Sequence, residues 1–141
     1  MLTFEGEETL LRMIFQGDNL TVPPGSNFFL GACKQLPQKV DTLLSINTEP
    51  SAAGGYARIP LNRAILDFPT IGQTDGETRI LSSVKTFSAV GGDFSLPFNR
   101  LFICNVASGT AGILIGYSGS YSSDITLLNG QTQDIQFEFY P

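Results

Sequence analysis

The first hydrophobic pattern in the chain is helical. In "FEGEETLLRMIFQG", four apolar residues recur at the spacing of one helix face: Leu10, Leu11, Ile14 and Phe15. Three glutamates stand in the first turns, where the helix dipole favours negative charge, and Gly17 is a suitable end. We therefore predict an N-terminal amphipathic helix segment over residues 1–18. It either covers one end of the core or anchors the chain on a neighbouring subunit.

After this segment the pattern changes to short extended runs. Apolar stretches rich in Val, Ile, Phe and Tyr alternate with clusters of Gly, Asp, Asn and Ser, in "NFFLGACK", "GYARIPLNRAILDFP", "TRILSSVKTFSAV", "NRLFICNVA", "AGILIGYSGSY" and "DIQFEFYP". The last run has period two throughout, with Ile135, Phe137 and Phe139 opposite the polar positions. Six to eight short strands and one helix predict a single all-β domain over residues 1–141. The expected fold is an antiparallel β-sandwich or jelly roll with one short N-terminal helix.

Composition narrows the classes of partner. Charged residues make up only 15% of the 141 residues, against about 25% in typical soluble domains. Such a weakly charged surface suits a protein that packs against copies of itself or other subunits. The net charge is −5 and the eight basic residues are scattered, so no nucleic acid partner is expected. No apolar run reaches the length of a membrane span, and the acidic N-terminus is unlike a signal peptide.

The residues that most enzymes need are largely missing. The sequence has no histidine, which excludes Ser-His-Asp and Cys-His catalysis and nearly every zinc, copper or haem site. The two cysteines, Cys33 and Cys104, sit in apolar segments typical of buried thiols; a disulfide between them is allowed but not required. Carboxylates around "DFPTIGQTDGE" (Asp67, Asp75 and Glu77) are the one cluster that could serve a glycan- or peptide-cleaving enzyme. We predict no enzyme, and no catalytic, cofactor-binding or metal-binding residue.

The stretch "SAAGGYARIPLNR" allows two interpretations. Two glycines beside Arg58 could form an anion-binding loop, or a turn that leads into a strand. The turn is favoured, because no helix begins here to supply aligned amide donors. Gly54 and Gly55 are then expected to adopt positive φ. Tyr56 is expected to pack at the edge of a sheet, and Arg58 to pair with an acidic group such as Glu49 or one on a neighbouring subunit.

At "GGYARIPLNR" the chain resembles a family of small tailed-bacteriophage virion proteins, labelled tail-fibre or structural proteins, with a "GGxYAR" element. The resemblance extends over most of the chain. "NFFLGACK" stands where the family has a strand of the "LYVGLF" type, and "NTEPSAAGGYARIPLNR" stands for its Pro-containing loop and signature. "RLFICNVASGTAGILIGYSG" is similar to its penultimate hairpin, and "LLNGQTQDIQFEFYP" to its closing turn and strand. Only "GGYAR" is close to literal.

The resemblance implies a non-enzymatic virion component, present in many copies and assembled in the host bacterial cytoplasm. It would bind other capsid or tail subunits, as a head decoration or cement protein or as a tail fibre or adaptor. A homo-oligomer is expected, with a trimer as one option. The residues expected at subunit contacts are Phe4, Leu11, Phe15, Tyr56, Arg58, Phe139 and Tyr140.

A carbohydrate- or receptor-binding module of a phage tail is the alternative. In it, exposed tyrosines would stack on sugar rings, with Ser and Asn side chains beside them; the tyrosines expected in this role are Tyr117, Tyr121 and Tyr140. The partner would then be a glycan. Neither function involves a cofactor.

Overall fold

A computed structural model describes residues 1–17 and 27–139 of the chain. One α-helix precedes nine strands: α1 Phe4–Phe15, β1 Asn27–Cys33, β2 Ile59–Asn62, β3 Thr70–Thr74, β4 Glu77–Leu81, β5 Lys85–Ser88, β6 Arg100–Cys104, β7 Leu114–Tyr117, β8 Thr132–Ile135 and β9 Glu138–Phe139. Short 3₁₀ turns cover Leu43–Ser45 and Ala53–Gly55. Every strand pairing is antiparallel. The predicted all-β class with one short N-terminal helix is confirmed.

The strands form three sheets. A four-stranded sheet has the order β2-β1-β6-β7, a three-stranded sheet the order β3-β4-β9, and β5 pairs with β8. The main core cluster joins side chains of the four-stranded sheet, such as Leu30 and Ile103, to Phe87 of β5 and Ile135 of β8. The core is therefore built between two layers of strands. A second cluster around Phe102 fills the other face of the four-stranded sheet.

The chain start closes the β7 edge of this sheet. The amide of Tyr117 donates to the carbonyl of Met1 at 2.8 Å, and the amide of Thr3 donates to the carbonyl of Ile115 at 3.1 Å. Leu2 forms a bridge with Gly116. Residues 1–3 thus satisfy backbone groups that an open edge strand would expose. No signal in the sequence indicated this pairing.

The period-two pattern near the C-terminus correctly predicts which side chains are buried, but the run belongs to two different sheets. Ile135 and Phe137 are buried, while Gln136 and Glu138 are exposed. The extended run nevertheless breaks after β8, which pairs with β5, and resumes as β9, which pairs with β4. Alternation determines which side chains face inward, whereas the partner strand depends on contacts distant in sequence.

In the segment "DFPTIGQTDGE", whose polar composition suggests a loop, Thr70–Thr74 form β3, and β3 pairs with β4 as a hairpin. Asp75 and Gly76 occupy the turn with φ values of 54° and 79°. Positive φ at both central residues is the geometry of the Asp-Gly hairpin turn. The Asp-Gly pair in the sequence is therefore a direct signal for this hairpin. The segment "KVDTLLSINT" alternates only loosely between apolar and polar residues, and it contains no strand.

Candidate functional site

The "GGYAR" element is a turn, as predicted. Gly54 and Gly55 have φ values of 68° and 75°, which favour glycine. At Gly54 space is also limiting, because a Cβ atom would lie 2.4 Å from the carbonyl oxygen of Asp93. The amide of Val90 donates to the carbonyl of Gly54 at 2.9 Å. The two glycines therefore allow this loop to pack tightly against the loop that follows β5.

The side chain of Arg58, which follows this turn, points into the protein, and its guanidinium donates hydrogen bonds to groups of the same chain. Its Nε and Nη2 donate to the two carboxylate oxygens of Glu49, both at 2.8 Å. Nη1 donates to the carbonyl of Val106 at 3.0 Å, and Nη2 to that of Gly109 at 2.9 Å. Burial by itself lowers the pKa of Arg58, but the hydrogen bonds and charge of Glu49 outweigh it and the pKa is raised. Pairing with Glu49 is confirmed, and an anion-binding role for this loop is contradicted.

Tyr56 is part of the same network rather than at a sheet edge. Its hydroxyl donates to Glu49 at 2.7 Å and accepts from the amide of Ala32 at 3.0 Å. The ring stacks on Phe87 with centroids 5.6 Å apart. Burial, followed by the charge of Glu49, raises its pKa. Tyr56 and Arg58 were predicted as subunit contacts; both are buried, so their side chains offer almost no surface to another subunit.

The helix α1 is anchored through small and polar residues. Gly6 packs so closely on β7 that a Cβ atom would lie 2.0 Å from the carbonyl oxygen of Ile115. Thr3 caps the helix, accepting from the amide of Gly6 at 3.1 Å, and the carboxylate of Glu5 accepts from the amide of Leu114 at 2.6 Å. The helix therefore packs against the core through the face that carries Gly6. The apolar residues of the helix lie on a different face, so their spacing did not predict this packing.

The apolar face of α1 consequently points outward. We name Phe4, Leu11 and Phe15 the ridge; they are 56%, 56% and 79% exposed, and Ile14 beside them is 71% exposed. Two ion pairs flank the ridge, Glu8 with Arg12 on the helix itself and Glu7 with Lys39 of the loop after β1. The interpretation of the helix as a cover for the core is wrong for this face. Exposure agrees with the predicted contact role of the ridge, which stays a prediction.

Two further predicted contact residues lie at the C-terminal end. Phe139 belongs to β9, where its backbone pairs with that of Ile80. Tyr140 lies outside the described residues. Both assignments stay predictions.

The carboxylates considered for catalysis do not share a site. Asp67 is buried and accepts from the amide of Asn62 at 2.7 Å, from Nζ of Lys85 at 2.8 Å and from the hydroxyl of Ser83 at 3.1 Å. The hydrogen bond from Lys85, followed by that from Asn62, lowers its pKa. Asp75 and Glu77 are exposed at the tip of the β3–β4 hairpin. Asp67 therefore fixes backbone between β2 and β5.

Both cysteines are free and buried. Burial is the main cause that raises the pKa of Cys33, to about 11, and it also raises that of Cys104. Thiols in this state are poor nucleophiles at neutral pH. They act as small packing residues, as the sequence indicated.

The tyrosines proposed for sugar stacking are also placed differently. Tyr117 is fully buried in β7, and its hydroxyl donates to Asp41 at 2.9 Å, so it cannot stack on a ligand. Tyr121 is half-buried and lines a cleft of about 280 Å³ together with Ser120, Gln136 and Glu138. Tyr140 lies outside the part of the chain that the structure describes.

One surface feature had no signal in the sequence. An apolar groove of about 420 Å³, here called the groove, opens beside α1 and is walled by Leu10, Phe28, Ile65, Phe68, Ile71 and Ile80. Arg63 also lines it, with its guanidinium 6.0 Å from the centroid of the Phe28 ring. The residues come from α1, β1, the loop after β2 and the β3–β4 hairpin, so only the tertiary fold brings them together.

Within residues 1–17 and 27–139, no three His, Cys, Asp or Glu side chains lie close enough to hold a metal ion. No helix in the described ranges has the length and hydropathy to cross a membrane. Comparisons of the chain with protein-family models, with curated proteins and with solved structures found no match.

Proposed function

We propose that the chain is a non-enzymatic structural protein of a bacteriophage virion that binds neighbouring subunits in many copies. It would serve as a head decoration or cement protein, or as a tail fibre or adaptor protein. The observation that carries the proposal is the ridge on α1, with Phe4, Leu11 and Phe15 displayed to solvent on a firmly anchored helix.

The ridge has the properties of a contact surface. Soluble monomers rarely keep several large apolar side chains together at the surface, and such patches mark interaction sites. Aromatic residues are enriched at the centres of protein interfaces. The cap by Thr3 and the close packing of Gly6 hold α1 in place before a partner arrives, which reduces the entropy lost on binding.

Composition and resemblance support the same function. Only 15% of the residues in the sequence are charged, a low fraction that suits a chain packed against other subunits. The "GGYAR" turn of the resembling phage family is present, and here it positions the ion pair of Arg58 with Glu49. The proposal places the chain in the virion, with capsid or tail subunits as partners and without a cofactor, nucleic acid or membrane.

The experiment begins with purified particles of a phage that encodes the chain. Mass spectrometry should find the chain in many copies, and its absence from washed particles would overturn the proposal. A Leu11→Asp/Phe15→Asp variant should be lost from the particles. A Leu36→Asp variant, changed at a leucine of similar exposure outside α1, should be retained. Equal retention of both variants would remove the ridge as the basis of the proposal.

A glycan-binding module of a phage tail is the second candidate. The observation that favours it is the cleft at Tyr121, which combines one aromatic ring with the hydroxyl of Ser120, the amide of Gln136 and the carboxylate of Glu138. The ring can stack on a sugar, and the oxygens of Gln136 and Glu138 can accept from its hydroxyls, although Nε2 of Gln136 already donates to the carbonyl of Ser82 and Glu138 already pairs with Arg79. A glycan array tests it: saturable binding that Tyr121→Ala abolishes would favour this function, and no binding would remove it.

A further inference from the structure

The groove is a second exposed apolar surface of the chain, besides the ridge. Its rim carries Ile65 and Ile71, which are 82% and 69% exposed, and its floor reaches Ile103 and Ile115 of the four-stranded sheet. A volume of about 420 Å³ lies within the range of pockets that accept large apolar groups. Among the described residues, the groove and the ridge are thus two exposed apolar surfaces, and the ridge residues themselves border a more open hollow of about 490 Å³.

Charge also distinguishes the two surfaces. Arg63 is the only charged residue that lines the groove, and it forms no ion pair with any carboxylate of the described ranges. The ridge is flanked by Glu7 and Glu8, whose ion pairs with Lys39 and Arg12 are exposed. Exposed pairs of this kind contribute only about 0–1 kcal/mol. The flanks of the ridge thus carry two carboxylates and two cations, and Glu8 is the group with which Arg63 of a second molecule would pair.

A molecule cannot fill its own groove with its own ridge. Leu10 of α1 lines the groove. Because successive residues turn by about 100° around a helix, the ridge residues lie about 100–140° away from Leu10. The same rigid helix thus borders the groove with one side and displays the ridge on another. A ridge that enters the groove must come from a second molecule.

We propose that the groove binds the ridge of a second copy of this chain, with Glu8 of that copy close to Arg63. This is the helix-in-groove mode of recognition. The two surfaces differ, so the contact is head-to-tail, and repetition produces either a closed ring or an open chain of subunits. The inference rests on the proposed function, since it states how copies of a multi-copy component contact one another.

The size of the contact predicts a weak single interaction. With about 150–250 Å² for each aromatic side chain, the ridge and Ile14 expose roughly 400–500 Å² of apolar surface. If the groove buries as much, the interface totals about 800–1,000 Å², the lower limit for a specific contact. We expect a dissociation constant on the order of 10–100 μM for one contact. Repetition on a particle would strengthen it.

Sedimentation velocity on purified protein tests the contact. Phe15→Asp disables the ridge, Ile65→Asp disables the groove, and Leu44→Asp is the control at a similarly exposed position outside both surfaces. Circular dichroism verifies that each variant is folded. Wild type and Leu44→Asp should associate as the concentration rises to about 500 μM. The ridge and groove variants should each associate at least about tenfold more weakly, a loss of about 1.4 kcal/mol.

A mixture of the two disabled variants separates head-to-tail contact from other modes. Phe15→Asp retains a groove and Ile65→Asp retains a ridge, so an equimolar mixture should form dimers with wild-type affinity and nothing larger. Association of Ile65→Asp like wild type would overturn the proposal, because the ridges would then pair with one another. A wild-type chain that stays monomeric at about 500 μM would overturn it as well, since the groove would then serve a different partner.

A charge-swap experiment tests the predicted pairing of Arg63 with Glu8 of the second copy. Arg63→Glu should weaken association about fivefold, and the double variant Arg63→Glu/Glu8→Arg should recover it. No weakening by Arg63→Glu would overturn the pairing with Glu8. The two proposals fail separately: absence from purified particles refutes the virion function, whereas a monomeric chain that is present in particles refutes only the ridge-in-groove contact.

Discussion

The pairing of Glu49 with Arg58 should be the most sensitive polar interaction in the protein. The side chain of Arg58 is only 4% exposed and that of Glu49 20%, and the two are joined by two hydrogen bonds of 2.8 Å. Replacing Glu49 by Gln keeps its volume and an acceptor for the Tyr56 hydroxyl, but leaves the guanidinium charge buried without a counter-charge. Breaking a buried pair in this way costs about 3–5 kcal/mol.

The exposed fraction of Glu49 lets water reach the site, so we expect a loss of about 2–4 kcal/mol in the free energy of unfolding. For a chain of this size that corresponds to a fall of about 6–12 °C in Tm. Arg58→Met removes the buried charge itself, and the carboxylate of Glu49 that remains is partly exposed to water. The loss in the free energy of unfolding should therefore be smaller than for Glu49→Gln, about 1–3 kcal/mol. The double variant Glu49→Gln/Arg58→Met should be no less stable than Arg58→Met, giving a coupling energy of about 2–4 kcal/mol, the same as the loss in Glu49→Gln alone.

Urea unfolding followed by far-UV circular dichroism measures these differences, with calorimetry for Tm. The control is Glu8→Gln, which breaks the exposed pair with Arg12 and should cost at most about 0.5 kcal/mol. Stability of Glu49→Gln within about 0.5 kcal/mol of wild type would refute the reasoning, because a buried guanidinium would then tolerate the loss of its counter-charge.

Three further predictions concern the loops and core. Gly54→Ala should destabilise the protein by about 2–4 kcal/mol in urea unfolding, because φ is 68° and the new Cβ would lie 2.4 Å from a carbonyl oxygen; a change below about 0.5 kcal/mol would contradict the tight packing. Because Lys85 and backbone hydrogen bonds lower the pKa of Asp67, its contribution should be complete above the ordinary aspartate pKa of about 3.9 and lost as the pH falls through the lower folded value. Asp67→Asn should lower the free energy of unfolding by about 1–3 kcal/mol at pH 7, and it should reduce the loss of stability on acidification. If stability falls with pH as steeply as in the wild type, Asp67 is not the source of that loss. Maleimide should label Cys33 and Cys104 only after unfolding, since both thiols are buried with raised pKa values; rapid labelling of folded protein would show that the core opens locally.

Local features of the chain were predictable where local geometry decides them. The helix at residues 4–15 follows from its spacing and acidic start, and the positive φ of Gly54 from the turn that a strand entry requires. The inward positions of Ile135 and Phe137 follow from period-two alternation. The proximity of Glu49 and Arg58 was also accessible, because an arginine beside a buried strand needs a nearby acid.

The tertiary structure decided the rest, because burial depends on partners far apart in sequence. The apolar stripe of α1 would normally face the core, yet Gly6 allows the opposite face to approach β7, and the stripe became the exposed ridge. Tyr117 resembled a surface aromatic in a Ser/Gly-rich stretch, yet it is buried with its hydroxyl on Asp41. The groove has no sequence pattern, since its walls come from four separate segments. Local patterns therefore indicated helix α1, the "GGYAR" turn and most of the strands; the packing of those segments determined which apolar surfaces stay open for a partner.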